Sequence, residues 1–89
     1  MKLNDKQKQF LFDKGYVNAN VLDAAVEPGW MEHYITRYEW DLGHTPNQYG
    51  GYELNFYEVD LADKGIFQSI EEFEIFLTDE DIDQLIMLG

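Results

Sequence analysis

The sequence predicts a small α+β domain, and three observations predict it. A capping signal and a terminating glycine bracket a helix between Asn4 and Gly15. Two stretches of period-two aromatic and apolar residues, 30–40 and 52–61, flank a connection rich in glycine and proline. Two further capping signals, at Ser69 and Thr78, precede apolar residues at helical spacing. Taken along the chain these give an N-terminal helix, an antiparallel β-hairpin or short meander, and two short acidic C-terminal helices, in one domain over residues 1–89.

In the first element Asn4 occupies the N-cap and Gln7 the third helical position. Each side chain can then accept a hydrogen bond from the other residue's backbone N–H. Gly15, directly after Lys14, suits the left-handed residue that ends a helix, and Phe10 and Leu11 are expected to face inward. Asn18 offers another cap, with Val21, Leu22, Ala25 and Val26 at helical spacing before Glu27-Pro28-Gly29 breaks the run. The same residues also read as a strand, so helix and strand both stay open for 18–26.

From Trp30 to Trp40 the reading is a strand, with Trp30, Tyr34, Tyr38 and Trp40 on one face and Met31, His33, Ile35, Arg37 and Glu39 on the other. Tyr52, Leu54 and Phe56 share a face of the next strand, and Tyr57, Val59 and Leu61 follow on the opposite parity, which suggests a bulge or twist near Phe56 and Tyr57. Gly43, Pro46, Asn47, Gly50 and Gly51 mark the connection as an extended hairpin loop. Ser69 and Glu72 then form a capping box for a helix with Ile70, Phe73, Phe76 and Leu77 inward and Glu71, Glu72 and Glu74 outward. Thr78 caps the last helix, placing Asp79, Glu80 and Asp81 at its positive end and Ile82, Leu85 and Ile86 inward.

At this size a core buries only about 60–65% of the unfolded surface. Cysteine is absent and the histidines number two, His33 and His44, so neither disulfides nor a sulfur-ligated zinc can brace the fold. Self-association is the remaining brace. Met31, Ile35, Tyr57 and Val59, apolar on the strand faces opposite the main aromatic stripe, are the candidate interface of a homodimer. A hydrophobic fraction of 45% with 16% aromatic residues argues for folding despite a net charge of −12.

Residues 1–14 carry a net +2, residues 15–68 a net −7 and residues 69–89 another −7. Such a surface repels nucleic acid and anionic membrane, so direct binding to either is not expected. The first residues lack the apolar segment of a signal peptide, and no apolar run nears the roughly 20 residues that span a bilayer. A cytoplasmic location follows as the expectation, the host cytoplasm for a phage-encoded protein.

Catalysis finds little support. The lone serine is assigned to a cap, no glycine-rich loop joins a strand to a helix, and a short chain offers little wall to desolvate a carboxylate. Asp79, Asp81 and Asp83 have the alternate spacing that opens a calcium loop, but Gln84 stands where glycine is needed and the chain ends before the twelfth position. No enzyme activity, metal or cofactor is therefore expected.

The remaining reading is a non-enzymatic protein-binding module, a stoichiometric inhibitor or adaptor that docks on a basic, nucleic-acid-binding partner. Glu71, Glu72, Glu74, Asp79, Glu80, Asp81 and Asp83 are the candidate contacts, with Glu39, Asp41, Glu53 and Glu58 beside them. A DNA mimic occupying a nucleic-acid-binding groove is the first alternative. A small metal- or ligand-binding regulator using His33, His44 and nearby acids is the second. In size, charge and lack of cysteine the chain resembles the small accessory proteins that bacteriophages make to inactivate host defence or transcription machinery, a profile that bacterial adaptors and antitoxins share.

Overall fold

In the computed structural model, which describes residues 1–22 and 27–89, Asn4 caps α1 (Asp5–Asp13) through the reciprocal bonds expected of it. Gln7 N–H donates to Asn4 Oδ1 at 2.9 Å and Asn4 N–H to Gln7 Oε1 at 2.8 Å. Gly15 ends the helix at φ 81°, a left-handed conformation that a Cβ disfavours. Asn18 Oδ1 accepts from Val21 N–H in a turn over residues 18–22. The rest of the helix-or-strand alternative for 18–26 lies outside the described residues.

The α+β expectation holds, and several elements differ from it. Residues 30–40 are not one strand: α2 (Trp30–Arg37) precedes β1 (Tyr38–Leu42). Trp30, Tyr34 and Tyr38 are spaced by four, which fits a period of two and a period of 3.6 equally. The buried pair Met31 and Tyr34 and the exposed Glu32, His33, Thr36 and Arg37 complete the helical pattern. β2 (Tyr52–Glu58) runs straight past Phe56 and Tyr57, and the change of parity near them marks the approach of α3 (Val59–Asp63).

The larger correction concerns residues 69–77, expected as a helix. They contain β3 (Glu71–Ile75), antiparallel to β2, with Phe73 opposite Leu54 and Ile75 opposite Tyr52. Ser69 caps nothing; its hydroxyl donates to Glu71 O at 3.0 Å. Phe76 and Ile70 are exposed rather than inward. Only one C-terminal helix remains, α4 (Asp79–Met87), started as expected by Thr78, whose Oγ1 accepts from Asp81 N–H. Leu85 is fully buried, Ile82 is half-buried, and Ile86, expected inward, is exposed.

The sheet has the order β1-β2-β3, and Met1–Leu3 adds to its β1 edge through Leu3 N–H to Trp40 O and Leu42 N–H to Met1 O, both 2.8 Å. Trp40, Leu42, Leu54, Phe56 and Ile75 point to one side, where Leu11 of α1, Met31 and Tyr34 of α2 and Leu85 of α4 cover them. Complete burial of Trp40 and Phe56 contributes on the order of 2 kcal/mol each. Lys8, also buried, donates from Nζ to Ile35 O and Tyr38 O at 3.0 Å, satisfying carbonyls where α2 passes into β1. Burial holds its ammonium below the usual lysine value, against the pull of Asp5 and Glu39.

Met31 and Ile35 therefore belong to the core side of α2, not to a second face of the sheet. Tyr57 lies on the sheet's other face and Val59 opens α3. The four residues expected to form a dimer interface do not share one surface.

Candidate functional site

Because side chains alternate along a strand, the register that sends Trp40, Leu54, Phe56 and Phe73 inward sends a different set outward. These are Glu39 and Asp41 from β1, Glu53, Asn55 and Tyr57 from β2, and Glu72 and Glu74 from β3. Asp41, Asn55 and Glu72 form one cross-strand row, and Glu53 stands directly opposite Glu74. Like charges in that relation destabilise a sheet by a few tenths of a kcal/mol.

Compensation of these charges is graded across the face. At the β1 edge the terminal amine bonds Asp41 at 2.8 Å and Lys2 Nζ approaches Glu39 at 3.2 Å. On β2 and β3, among the described residues, no cation pairs with Glu53, Glu72 or Glu74. Among the described residues the Glu74 carboxylate accepts from the Asn47 Nδ2 amide alone, and it lies so close over Gly51 that a Cβ there would collide with its Cγ. Asn47, Gln48 and Tyr49 with Glu53, Glu72, Phe73 and Glu74 line an open groove of about 580 Å³.

At the far end of the face, Phe67 sits edge-on to Tyr57 with ring centres 6.4 Å apart and Lys2 Nζ 5.5 Å from its own ring. Phe67 is 64% exposed. The Tyr57 phenol is pushed above its usual value first by burial, then by the carboxylates of Asp41, Glu53 and Glu72 around it. The site is thus an aromatic pair beside a field of carboxylates. Chemically it suits guanidinium and ammonium groups, through charge-assisted hydrogen bonds and stacking on the rings.

Of the eleven acids expected to contact a partner, five meet here: Glu39, Asp41, Glu53, Glu72 and Glu74. Glu71 points to the core side, where both of its oxygens accept from Tyr34 OH at 3.2 Å. That phenol is pushed up to about 12, first by burial and then by Glu71. Glu58 lies in the core-side register opposite Tyr38, at the end of the sheet. Asp79, Glu80, Asp81 and Asp83 belong to α4, and Asp81 is taken up internally: it accepts from Tyr16 OH at 2.5 Å and lies 3.6 Å from Lys14 Nζ. The Tyr16 bond holds the Asp81 carboxyl below the usual carboxylate range, against partial desolvation and with help from Thr78 and Lys14.

Phe67, Asn55 and Tyr49 complete the surface and were not candidates from sequence. The alternation of Glu72 and Glu74 with Phe73 and Ile75 signals the strand β3, but nothing in the spacing of the chain brings Phe67, Asn55 or Tyr49 to its face. His33 is exposed on α2 and edge-on to Tyr34 and Tyr38, while His44 lies in the hairpin loop, its Nε2 3.4 Å from the terminal amine. Among the described residues no three His, Asp or Glu are grouped to hold a metal ion, and no helix is long and apolar enough to cross a membrane. Comparison with family models, with curated proteins and with solved structures gives no match, so the chemistry of this face is what bears on function.

Proposed function

We propose that the chain is a non-enzymatic protein-binding module, a stoichiometric inhibitor or adaptor, that docks its acidic sheet face on a basic surface of another protein. One observation carries the proposal: among the described residues Glu53, Glu72 and Glu74 stand together without a cation, two of them directly opposed, on the same sheet face whose other end holds Tyr57 and the exposed ring of Phe67. The fold bears the repulsion among these charges, and an arginine- or lysine-bearing partner would turn it into attraction. Tyr57 and Phe67 supply the aromatic contact area that anchors interfaces.

A DNA decoy is the second reading. The pleat favours it, because residues two apart on a strand repeat at about 7 Å, so Glu39 and Asp41, and Glu72 and Glu74, give regularly spaced charges on one face. Self-association is also part of the proposal. Its candidate surface is the groove of about 150 Å³ between α4 and the base of the hairpin, lined by Leu42, Tyr52, Ile82, Leu85 and Ile86, since two acidic faces would repel one another.

The test is affinity capture of partners from nuclease-treated lysate at low and high salt, followed by competition with duplex DNA. A single dominant partner lost at high salt supports electrostatic docking, and its displacement by DNA selects the decoy reading. Enrichment of no protein at either salt would remove both.

A further inference from the structure

The two edges of the sheet differ, and the hydrogen-bond parity shows how. Lys2 faces Asp41 with Leu3 N–H bonded to Trp40 O and Leu42 N–H to Met1 O, so the backbone groups of Trp40 and Leu42 face the N-terminal segment. Those of Glu39 and Asp41 must then face β2. Carried through the register, Leu54 and Phe56 face β3, in agreement with the 2.9 Å bond from Ile70 N–H to Phe56 O. Glu71, Phe73 and Ile75 face back toward β2. The N–H and C=O groups of Glu72 and Glu74 are left pointing away from the sheet, and among the described residues no backbone group bonds them.

One edge is closed by Met1–Leu3, and among the described residues no strand pairs with the other. Open edges are usually blunted by lysine, proline or a covering loop, because they template pairing with another chain. β3 carries glutamates, charges that blunt pairing with most strands, and has exposed apolar residues at both ends, Ile70 and Phe76. The glutamates discriminate between occupants. A second copy added at this edge would bring Glu72 and Glu74 next to their own equivalents, which is repulsive, whereas a strand carrying lysine or arginine would pair favourably with both. At the same edge Val21, Leu22, Ile70 and Phe73, together with Glu71 and Glu72, line a groove of about 310 Å³ that offers apolar contact beside the carboxylates.

The geometry points to strand addition: an extended segment of the partner protein pairs with β3 through the outward backbone groups of Glu72 and Glu74. Its lysine or arginine residues lie beside those two carboxylates, and its apolar residues lie beside Phe73. This inference rests on the acidic-face reading above and adds to it the conformation and sequence pattern of what is bound.

Two synthetic peptides test it, one of alternating lysine and valine and one of the same sequence with every lysine backbone nitrogen methylated, which keeps the charge and blocks the edge that would pair with β3 with lysine beside Glu72 and Glu74. The alternating peptide is expected to bind, to slow exchange of the Glu72 and Glu74 amide protons, and to bind at least about tenfold more tightly than its methylated form. Glu72→Lys is expected to weaken binding of the lysine peptide and to admit the same peptide with glutamate in place of lysine. Equal binding of both lysine peptides, with the two amides unprotected, would overturn strand addition and leave docking by charge standing. Failure of both peptides to bind at low salt would overturn the inference and the acidic-face reading together.

Discussion

Carboxylates at the start of α4 are matched by the fold, and those on the outer face of β2 and β3 are not. At α4, Asp79, Glu80 and Asp81 stand at the positive end of the helix, Thr78 caps it, and Asp81 also joins α1 to α4 through Tyr16 and Lys14. On the sheet, Glu53 faces Glu74 and, among the described residues, neither has a cation. Acidic residues of similar density along the chain thus have opposite structural meaning. Where an acid stabilises a helix end or bridges elements, its presence is explained by folding; where several repel one another on one sheet face, folding does not explain the repulsion, and the proposed docking would.

The comparison breaks most severely if α4 is not held as described. Leu85→Ala removes its fully buried anchor and is expected to cost about 3 kcal/mol, read by chemical denaturation. Reversing the sheet acids together, Glu53→Lys, Glu72→Lys and Glu74→Lys, is expected to slow association with the captured partner at least tenfold at low salt while the melting temperature stays level or rises. A fall in melting temperature without loss of binding would assign those acids to the fold. Thr78→Ala removes the cap and is expected to cost about 1 kcal/mol of stability with binding intact.

The pH dependence sharpens the same contrast. The folded-state pKa of Asp81 is depressed, so its contribution is complete above the unfolded value near 4 and is lost as pH falls through the lower folded value. Asp81→Asn should therefore flatten the acid limb of the stability profile, measured by thermal melts between about pH 2 and 6. The smallest effect is expected of Glu53→Gln, which relieves the repulsion with Glu74 and should stabilise the fold by a few tenths of a kcal/mol, an increment that shrinks in high salt.

Local chemistry made the ends of the molecule legible in the sequence. The capping box of Asn4 and Gln7, the left-handed Gly15 and the Thr78 cap depend on residues within one turn of each other, and all three stand as read. The middle resisted for physical reasons. Aromatic residues four apart, Trp30, Tyr34 and Tyr38, satisfy helix and strand alike, and only packing against α1 and the sheet decides between them. At residues 69–75 a capping-box pattern competed with a short alternation of glutamate and apolar residues, and pairing with β2 decided for the strand. That decision also determined the site. Glu71, read as outward on a helix with Glu72 and Glu74, turns inward to Tyr34 on a strand, and Glu72 and Glu74 join Glu53 and Asp41 on a surface that no spacing along the chain could reveal.

The most direct test of the central claim neutralises the two acidic regions separately and compares capture of the same partner. One variant carries Glu53→Gln, Glu72→Gln and Glu74→Gln, and the other Asp79→Asn, Glu80→Gln and Asp83→Asn, equal in the charge removed. Capture by the wild type and by the α4 variant, with loss in the sheet variant, is the expected result. Equal capture by both variants, or loss confined to the α4 variant, would contradict the assignment of binding to the sheet face.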